Sequence, residues 1–335
     1  MRIIDSVKYR SNKYTLKLLE RFNSYFPRIN YKSNILISAN PRGGSTWLAS
    51  IFSAIPRSYI LYEPISTVYM PSVIELDFSR RQFIPENAQW EQAKIFFHDL
   101  FTGSNLTYRM TLHPMSNNRN ALQILTGSLR IIKFCRLNLM LPWLTMNFDL
   151  RPPIFFIRHP CAVVYSQMRF ASHHHRMGSD WRETTFSKPN GPFNEYFDQY
   201  DHILKNIKTQ EEQLAALWCI TNIIPLTHNM KSNNWITVAY ESLLLRPEKE
   251  LRDLFKELGL IMRSNILENI NMPSKTTLTG SSMSDPYFRL NQWKTKLNPG
   301  QIDRILRVVD HFGLTKYYGD NVEPDYSELY SYRKI

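Results

Sequence analysis

The sequence predicts a three-layer α/β fold, in which helices cover both faces of a central parallel sheet. Short, almost fully apolar segments recur along the chain, and helical patterns lie between them. Strands that are apolar on both faces are typical of parallel sheets, because helices bury both sides of such a sheet. The predicted strands span residues 34–39, 58–62, 130–134, 154–157 and 235–240.

Helical patterns follow several of these strands and continue towards the C-terminus. The predicted helices span residues 45–52, 162–170, 211–224, 248–258 and 301–312. Open parallel sheets bind ligands beyond the carboxyl ends of their strands. We therefore expect the functional residues in the loops that follow residues 39, 62 and 157.

The chain is predicted to form one α/β domain at residues 34–320, after a basic helical extension at 1–33 and before a tail at 321–335. Two long polar segments, near residues 66–129 and 172–200, interrupt the alternation of strand and helix. Long segments of this kind often carry binding sites and lids, so we expect both to lie over the rim of the sheet.

Composition favours an anionic partner and a reducing compartment. Lys and Arg total 41 against 29 Asp and Glu, which gives a formal net charge of +12. The three cysteines are far apart and odd in number, so they predict buried free thiols rather than a disulfide framework or a zinc site.

The N-terminal segment predicts a cytoplasmic protein. It lacks the apolar core of a signal peptide, and no segment reaches the roughly 20 apolar residues of a membrane span. An amphipathic helix is predicted there, which packs on the domain or, as the second interpretation, makes peripheral contact with a membrane. Its apolar residues are Tyr14, Leu16, Leu18, Leu19 and Phe22.

Residues 41–48 have the composition of a phosphate-binding, P-loop-like segment. Paired glycines let the backbone bring its N–H groups up to an anion, and the following helix adds its positive dipole end. Hydroxyl donors and a forked cation complete the set. The candidate anion-binding residues are Arg42, Gly43, Gly44, Ser45 and Thr46.

This loop differs from the Walker loop of ATPases, which reads G-x-x-x-x-G-K-[ST]. The basic residue Arg42 precedes the glycines, and the sequence contains no Gly-Lys pair. No predicted strand ends in an exposed Asp that would hold magnesium. The sequence therefore predicts phosphate binding without Mg-ATP chemistry and without a bound metal.

A second candidate anion site follows the fourth predicted strand. Arg158 ends that strand, His159-Pro160 makes a turn, and Ser166 lies on the next helix. An Arg at a strand end and a Ser in the following helix can converge on one phosphate. A surface ion pair of Arg158 and a purely structural Ser166 are the alternative.

Together these motifs resemble the sulfotransferase family that uses 3′-phosphoadenosine 5′-phosphosulfate (PAPS). Residues 41–48 are similar to its signature Pro-[Lys/Arg]-[Ser/Gly]-[Gly/Thr]-[Ser/Thr]-Thr-Trp-Leu, and residues 158–166 to Arg-[Asp/His]-Pro followed by Ser. The Tyr-Glu-Ser-Leu sequence at 240–243 and the Arg-x-x-x-Trp-Lys sequence at 289–294 resemble two further family elements. The resemblance extends over about residues 34–312.

The resemblance implies transfer of a sulfuryl group from PAPS to a hydroxyl or amine of an acceptor, without a metal. The 5′-phosphosulfate would lie on the loop, the 3′-phosphate on Arg158 and Ser166, and Arg289 on the phosphate or adenine side. The implied nucleotide-binding residues are Arg42, Gly43, Gly44, Ser45, Thr46, Trp47, Arg158, Ser166, Tyr240 and Arg289.

Two departures from the cytosolic phenol and steroid branch indicate the acceptor. Arg42 stands where that branch has Lys, and its Gly-rich stretch is absent before Trp293. Arg42 is more similar to the carbohydrate- and protein-modifying branches, and both departures argue against a phenol or steroid acceptor. We therefore expect a small molecule or glycan as acceptor and no nucleic acid.

For catalysis, Arg42 is the predicted electrostatic clamp at the bridging oxygen. Glu63, in a Glu-Pro sequence similar to that of carbohydrate-type enzymes, is the predicted general base, and His113 is the second candidate. The alternative for Glu63 is an ion pair with a nearby Arg. His173-His174-His175 is not taken as a metal site, because no acidic or Cys partner lies at a useful spacing.

The sequence leaves two other functions open. An Mg-ATP-dependent phosphotransferase would bind ATP, and a non-catalytic basic protein would bind acidic polymers in a salt-dependent way without turnover. The acceptor, the oligomeric state and the pathway do not follow from the sequence.

Overall fold

A computed structural model describes most of the chain. The described residues are 13–15, 17, 29–66, 70, 72–78, 81–111, 113, 121–176, 192–228, 234–268, 270 and 285–331; at 72, 121, 171–176 and 194 only the backbone is described. The predicted N-terminal amphipathic helix lies almost entirely outside these residues, as does most of the segment at 172–200.

The central sheet has five parallel strands in the order β2-β3-β1-β4-β5, which confirms the predicted fold class. Each observed strand lies within one residue of its predicted bounds. The strands are β1 (Asn34–Ala39), β2 (Ser58–Tyr62), β3 (Leu129–Phe134), β4 (Ile154–Ile157) and β5 (Ile236–Ala239). Since β1 pairs with both β3 and β4, the loops after these three strands are neighbours at the carboxyl edge.

Fifteen α-helices surround or connect the strands in the described part of the chain. They are α1 (Ser45–Phe52), α2 (Ser72–Glu75), α3 (Glu91–Thr102), α4 (Tyr108–Thr111), α5 (Ala121–Thr126), α6 (Leu141–Asn147), α7 (Pro160–Arg176), α8 (Asp201–Leu204), α9 (Gln210–Thr227), α10 (Tyr240–Leu245), α11 (Pro247–Glu257), α12 (Asn265–Glu268), α13 (Pro286–Lys296), α14 (Pro299–His311) and α15 (Tyr326–Leu329). None of the helices in this part combines the length and apolar composition needed to cross a bilayer.

Two hydrophobic clusters, one on each face of the sheet, form the three layers. All six residues of β1 are buried, and because side chains alternate along a strand, Leu36 joins one cluster while Ile35 and Ile37 join the other. The larger cluster holds the indole rings of Trp143, Trp218 and Trp293, and the smaller one lies between the sheet and α1, α10 and α11. β1 is thereby fixed at the centre, and the loop after it projects from a rigid base.

Three segments have structure that the sequence analysis did not predict. The helix expected over residues 162–170 spans Pro160–Arg176, so it continues into the segment expected to form an insertion. The segment at 66–129 contributes α2 to α5, and its aromatic rings at Phe96, Phe97 and Phe101 are buried against one another. These three rings are therefore part of the core. In the expected tail, Leu329 of α15 is buried in the larger cluster.

Candidate active site

The loop between β1 and α1 turns through two left-handed residues. Arg42 has a φ of 67° and Gly44 a φ of 98°, and the Gly43 N–H donates to the carbonyl of Asn40 at 2.9 Å. α1 then begins at Ser45 with no described side chain capping its N-terminus. Such a turn directs backbone N–H groups and the positive end of the helix to one point, where an anion is favoured.

Gly44 is required here because the loop passes close to two aromatic rings. A Cβ atom at this position would lie 2.8 Å from Tyr240 Cδ2 and 3.2 Å from Phe156 Cε1. Both contacts are shorter than normal van der Waals separation. The glycine therefore allows both the left-handed backbone and the close approach of Tyr240, at the start of α10, and of Phe156 in β4.

We predict that Gly44→Ala abolishes binding of a phosphorylated nucleotide, measured by calorimetry. Gly313→Ala is the matched control, because Gly313 also has a positive φ, of 70°, but a Cβ there would meet no atom within 4 Å. Both variants carry about 1 kcal/mol of backbone strain, and only the first adds a steric clash. Equal binding by the two variants would contradict this role of Gly44.

The two anion-binding motifs predicted from the sequence meet at the rim of the sheet. Arg42 Nε donates to Ser166 Oγ at 3.2 Å, and an Arg158 terminal nitrogen donates to the carbonyl of Arg42 at 3.4 Å. The Arg42 guanidinium also lies over the ring of Phe170, 4.6 Å from its centroid. Burial, followed by repulsion from Arg158, lowers the pKa of Arg42 to about 10. An anion between the two guanidinium groups would relieve that repulsion.

Tyr240 connects the remaining predicted nucleotide-site residues. The Arg158 guanidinium lies 4.4 Å from the centre of the Tyr240 ring, and an Arg289 terminal nitrogen donates to the Tyr240 hydroxyl at 3.0 Å. The Trp47 ring packs edge-on against the same tyrosine, with 5.4 Å between centroids. The buried Nε of Arg158 has no hydrogen-bond partner among the described residues. A donor left unsatisfied in a cationic site fits an anionic ligand.

Glu63 directly follows β2 and forms a buried ion pair. Lys133 Nζ donates to Glu63 Oε1 at 2.5 Å, and the backbone N–H of Cys135 donates to Glu63 Oε2 at 2.9 Å. Burial raises the pKa of this carboxyl, but Lys133, Arg136 and the hydrogen bonds outweigh it, so the pKa lies below its ordinary value. Glu63 is therefore ionised at neutral pH.

This pair lies beside the phosphate-binding loop. Cys135 Sγ is 2.9 Å from Lys133 Nζ and 3.9 Å from the hydroxyl of Ser45. Burial, and then the charge of Glu63, raise the pKa of Cys135 to about 12, so the group is a thiol. The His113 ring stacks on Tyr62, the last residue of β2, with 3.9 Å between the ring centroids. Both predicted base candidates thus lie beside the carboxyl end of β2.

Several site residues were not assigned a role from the sequence. Gln167 Nε2 donates to the carbonyl of Pro41 at 3.0 Å and so holds the start of the loop, and Phe170 receives the Arg42 guanidinium. Both lie on α7 close to Ser166, and this proximity to a recognised motif could have pointed to them. No sequence feature indicated that Lys133 pairs with Glu63, because 70 residues separate them. Among the described residues, no group of three or more His, Cys, Asp or Glu side chains is arranged to hold a metal ion.

Comparison with known proteins gives a weak structural likeness. No protein-family model matches the sequence, and a search of curated proteins finds no match. The chain is similar to the sulfotransferase domain of the Synechococcus PCC 7002 olefin synthase, with 18% identity, a TM-score of 0.45, and coverage of 84% of this chain and 94% of that one. It is also similar to a mouse sulfotransferase complexed with PAP (3′-phosphoadenosine 5′-phosphate). The identity is 15% and the TM-score 0.40, and the match covers 92% of this chain and 93% of that one. These scores are too low to carry a functional argument, which has to come from the site itself.

Proposed function

We propose that this chain is a PAPS-dependent sulfotransferase. The observation that carries the proposal is the meeting of two motifs 116 residues apart, in which Arg158 contacts the Arg42 carbonyl and Arg42 contacts Ser166. A bis-phosphorylated adenosine has two anionic groups and needs two adjoining anion sites. The adjoining positions of the loop at 41–46 and of the segment 158–166 support this proposal.

The residues present fit such a nucleotide. The α1 N-terminus with Arg42 would hold the 5′-phosphosulfate, and Arg158 with Ser166 would hold the 3′-phosphate. The unsatisfied Nε of Arg158 and the close approach at Gly44 support this placement. When bound, PAPS supplies the sulfuryl group that is transferred. Sulfuryl transfer spreads negative charge over peripheral oxygens, so positioned donors and cations are what the protein must provide.

Glu63 is our proposed general base for the acceptor hydroxyl or amine. Its ion pair with Lys133 keeps the carboxylate ionised before the acceptor arrives, and the Cys135–Ser45 contact connects it with the loop. The lowered pKa makes it a weaker base than a free carboxylate. Its contribution to catalysis therefore depends on its position beside the acceptor. His113, which stacks on Tyr62, is the second candidate for the base.

For the acceptor we propose a glycan or glycoconjugate. The net charge of +12 favours an anionic partner, and Arg42 resembles the loop residue of carbohydrate-modifying enzymes. The test is mass spectrometry of a glycan-containing extract incubated with the protein and PAPS. New products heavier by one SO₃ on a saccharide support the proposal, and sulfated products confined to phenols or steroids contradict it.

A ligand comparison tests the nucleotide assignment. A ligand that binds only the native protein raises stability by RT ln(1 + [L]/Kd), or about 2.7 kcal/mol at 100 times its Kd. We expect thermal stabilisation by PAP, and less by adenosine 5′-phosphosulfate, because the latter lacks the phosphate that would contact Arg158. Stabilisation by ATP with magnesium but not by PAP would favour the phosphotransferase alternative.

A further inference from the structure

The peptide group between Arg158 and His159 is held at both ends by buried side chains. Its carbonyl accepts a hydrogen bond from Trp218 Nε1 at 3.0 Å, and its N–H donates to Glu241 Oε1 at 2.9 Å. Trp218 and Glu241 are each only 1% exposed. Moving this peptide would leave buried polar groups unsatisfied, which is costly. The backbone that presents the Arg158 side chain is therefore fixed.

The same carboxylate is tied to the C-terminal part of the chain. The Tyr318 hydroxyl donates to Glu241 Oε2 at 3.2 Å. His159 Nδ1 accepts the Cys161 N–H at 3.2 Å, so its Nε2 carries the proton and donates to the Gly319 carbonyl at 3.0 Å. Residues 318–319 thus hold both Glu241 and the turn after Arg158. They lie beyond the part of the sequence that resembles the sulfotransferase family.

Glu241 is the group in this network that titrates near neutral pH. Burial raises its pKa to about 7, against the opposing effects of the His159 N–H and of the Arg158 charge. Burial lowers the pKa of His159 to about 3, with small contributions from Lys294 and Arg158, so this ring stays neutral. The pKa values of Tyr318 and of Tyr326 in α15 are raised by burial and lie above the neutral range.

The Arg158 charge therefore acts on two anions: the Glu241 carboxylate, whose pKa it lowers, and the phosphate that it would bind. A phosphate that neutralises Arg158 removes part of what stabilises ionised Glu241, and the carboxyl then binds a proton more tightly. Linkage is reciprocal, so protonation of Glu241 strengthens phosphate binding by the same factor.

We propose that Glu241 is the positioning residue for Arg158, and that binding of a bis-phosphorylated nucleotide is coupled to the uptake of a proton by Glu241. The hydrogen bond to the His159 N–H supplies the positioning, and the shared guanidinium supplies the coupling. This inference rests on the proposed function, because it assumes that Arg158 binds a nucleotide phosphate.

The test is calorimetry of PAP binding from about pH 6.5 to 8.5, in buffers that differ in ionisation enthalpy. The difference in proton uptake between wild type and Glu241→Gln is the quantity of interest, since the phosphates of PAP titrate equally with both proteins. Gln resembles the protonated carboxyl. We expect Glu241→Gln to match wild type at pH 6.5 and to bind about fivefold more tightly at pH 8.5, where wild-type Glu241 is ionised.

Glu241→Ala separates positioning from charge. It removes the acceptor of the His159 N–H, so we expect weaker PAP binding than in Glu241→Gln at every pH. Equal affinities in the two variants would overturn the positioning role.

A matched pair of tyrosine variants tests the network itself. Tyr318→Phe removes a donor to Glu241, so the midpoint of proton uptake should rise by about one pH unit. Tyr317→Phe removes a buried hydroxyl that donates instead to the Leu226 carbonyl at 2.6 Å, and it should leave the midpoint unchanged.

The outcomes distinguish this inference from the proposed function. If both proteins bind PAP and wild type and Glu241→Gln show the same pH dependence, the coupling is overturned and the proposed function stands. If wild type binds no PAP at any pH, the proposed function and the coupling fail together.

Discussion

Replacing Arg42 by Ala is expected to lower kcat for sulfuryl transfer by about 10³, the scale found for removal of one donor that stabilises a transition-state charge. Arg42 is the only side chain of the loop that carries a positive charge, and it contacts Ser166 at the second anion site. Its removal affects charge that develops during transfer more than charge already present in the substrate. We therefore expect a larger effect on kcat than on the affinity for PAP, both measured with purified protein.

Arg42→Lys is the control for this variant. Arg42 has a positive φ, and Ala and Lys both carry a Cβ atom, so we expect the same backbone strain in Arg42→Ala and Arg42→Lys. Lys keeps the charge but cannot use a fork to contact two oxygens at once, and an intermediate kcat is expected. A kcat of Arg42→Ala within about threefold of wild type would rule out the role of Arg42 as an electrostatic clamp.

Fold class and strand bounds were predictable because the signals are local. Segments such as Ile154–Ile157 are apolar on both faces, and Gly43-Gly44 marks the end of the first strand. The order of the strands was not predictable, since it depends on contacts between segments that are distant in sequence. How the aromatic residues of the segment near 66–129 pack was not predictable for the same reason. Its aromatic residues signal hydrophobicity, but only packing decides whether they face a ligand or the core.

Residues of the candidate site were predictable where they belong to a short motif. Residues that only position another side chain were not. Arg42 and Ser166 were each placed by a local motif, and the structure brings them to 3.2 Å. Glu241 lay in a recognised Tyr-Glu sequence but had no assigned role. Its partners, Trp218 and Tyr318, have no distinguishing pattern, because an indole N–H or a phenol can serve many buried acceptors.

The buried pair of Glu63 and Lys133 gives the largest expected effect on stability. Their side chains are 11% and 3% exposed, and removing one partner leaves the other charge buried without compensation. Glu63→Gln should therefore lower the free energy of unfolding by about 3–5 kcal/mol. Denaturant titration measures this, and Glu211→Gln is the control, because Glu211 pairs with Arg304 away from the loop. The control should lose some stability and keep wild-type kcat.

The pH dependence of this loss has a defined sign. The pKa of Glu63 is lowered in the folded protein, so its stabilising effect is present above the ordinary carboxyl pKa and is lost as the pH falls through the lowered value. The pKa of Lys133 is raised, so its effect is lost only as the pH rises through that raised value. The difference in stability between wild type and Glu63→Gln should therefore be constant near neutrality and shrink in acid. A difference that grows in acid would contradict the pairing.

A double variant separates this structural role from the proposed role as general base. In Glu63→Gln/Lys133→Met both charges are gone, and replacing a buried ion pair by uncharged side chains of similar size often restores stability. If Glu63 takes the acceptor proton, the double variant should be as stable as wild type, bind PAP and show no turnover. Because Lys133 also borders the loop, Glu63→Gln alone has to show the same loss of kcat. A stable double variant that still transfers sulfate would exclude Glu63 as the base and leave His113, which stacks on the adjacent Tyr62, as the group to test.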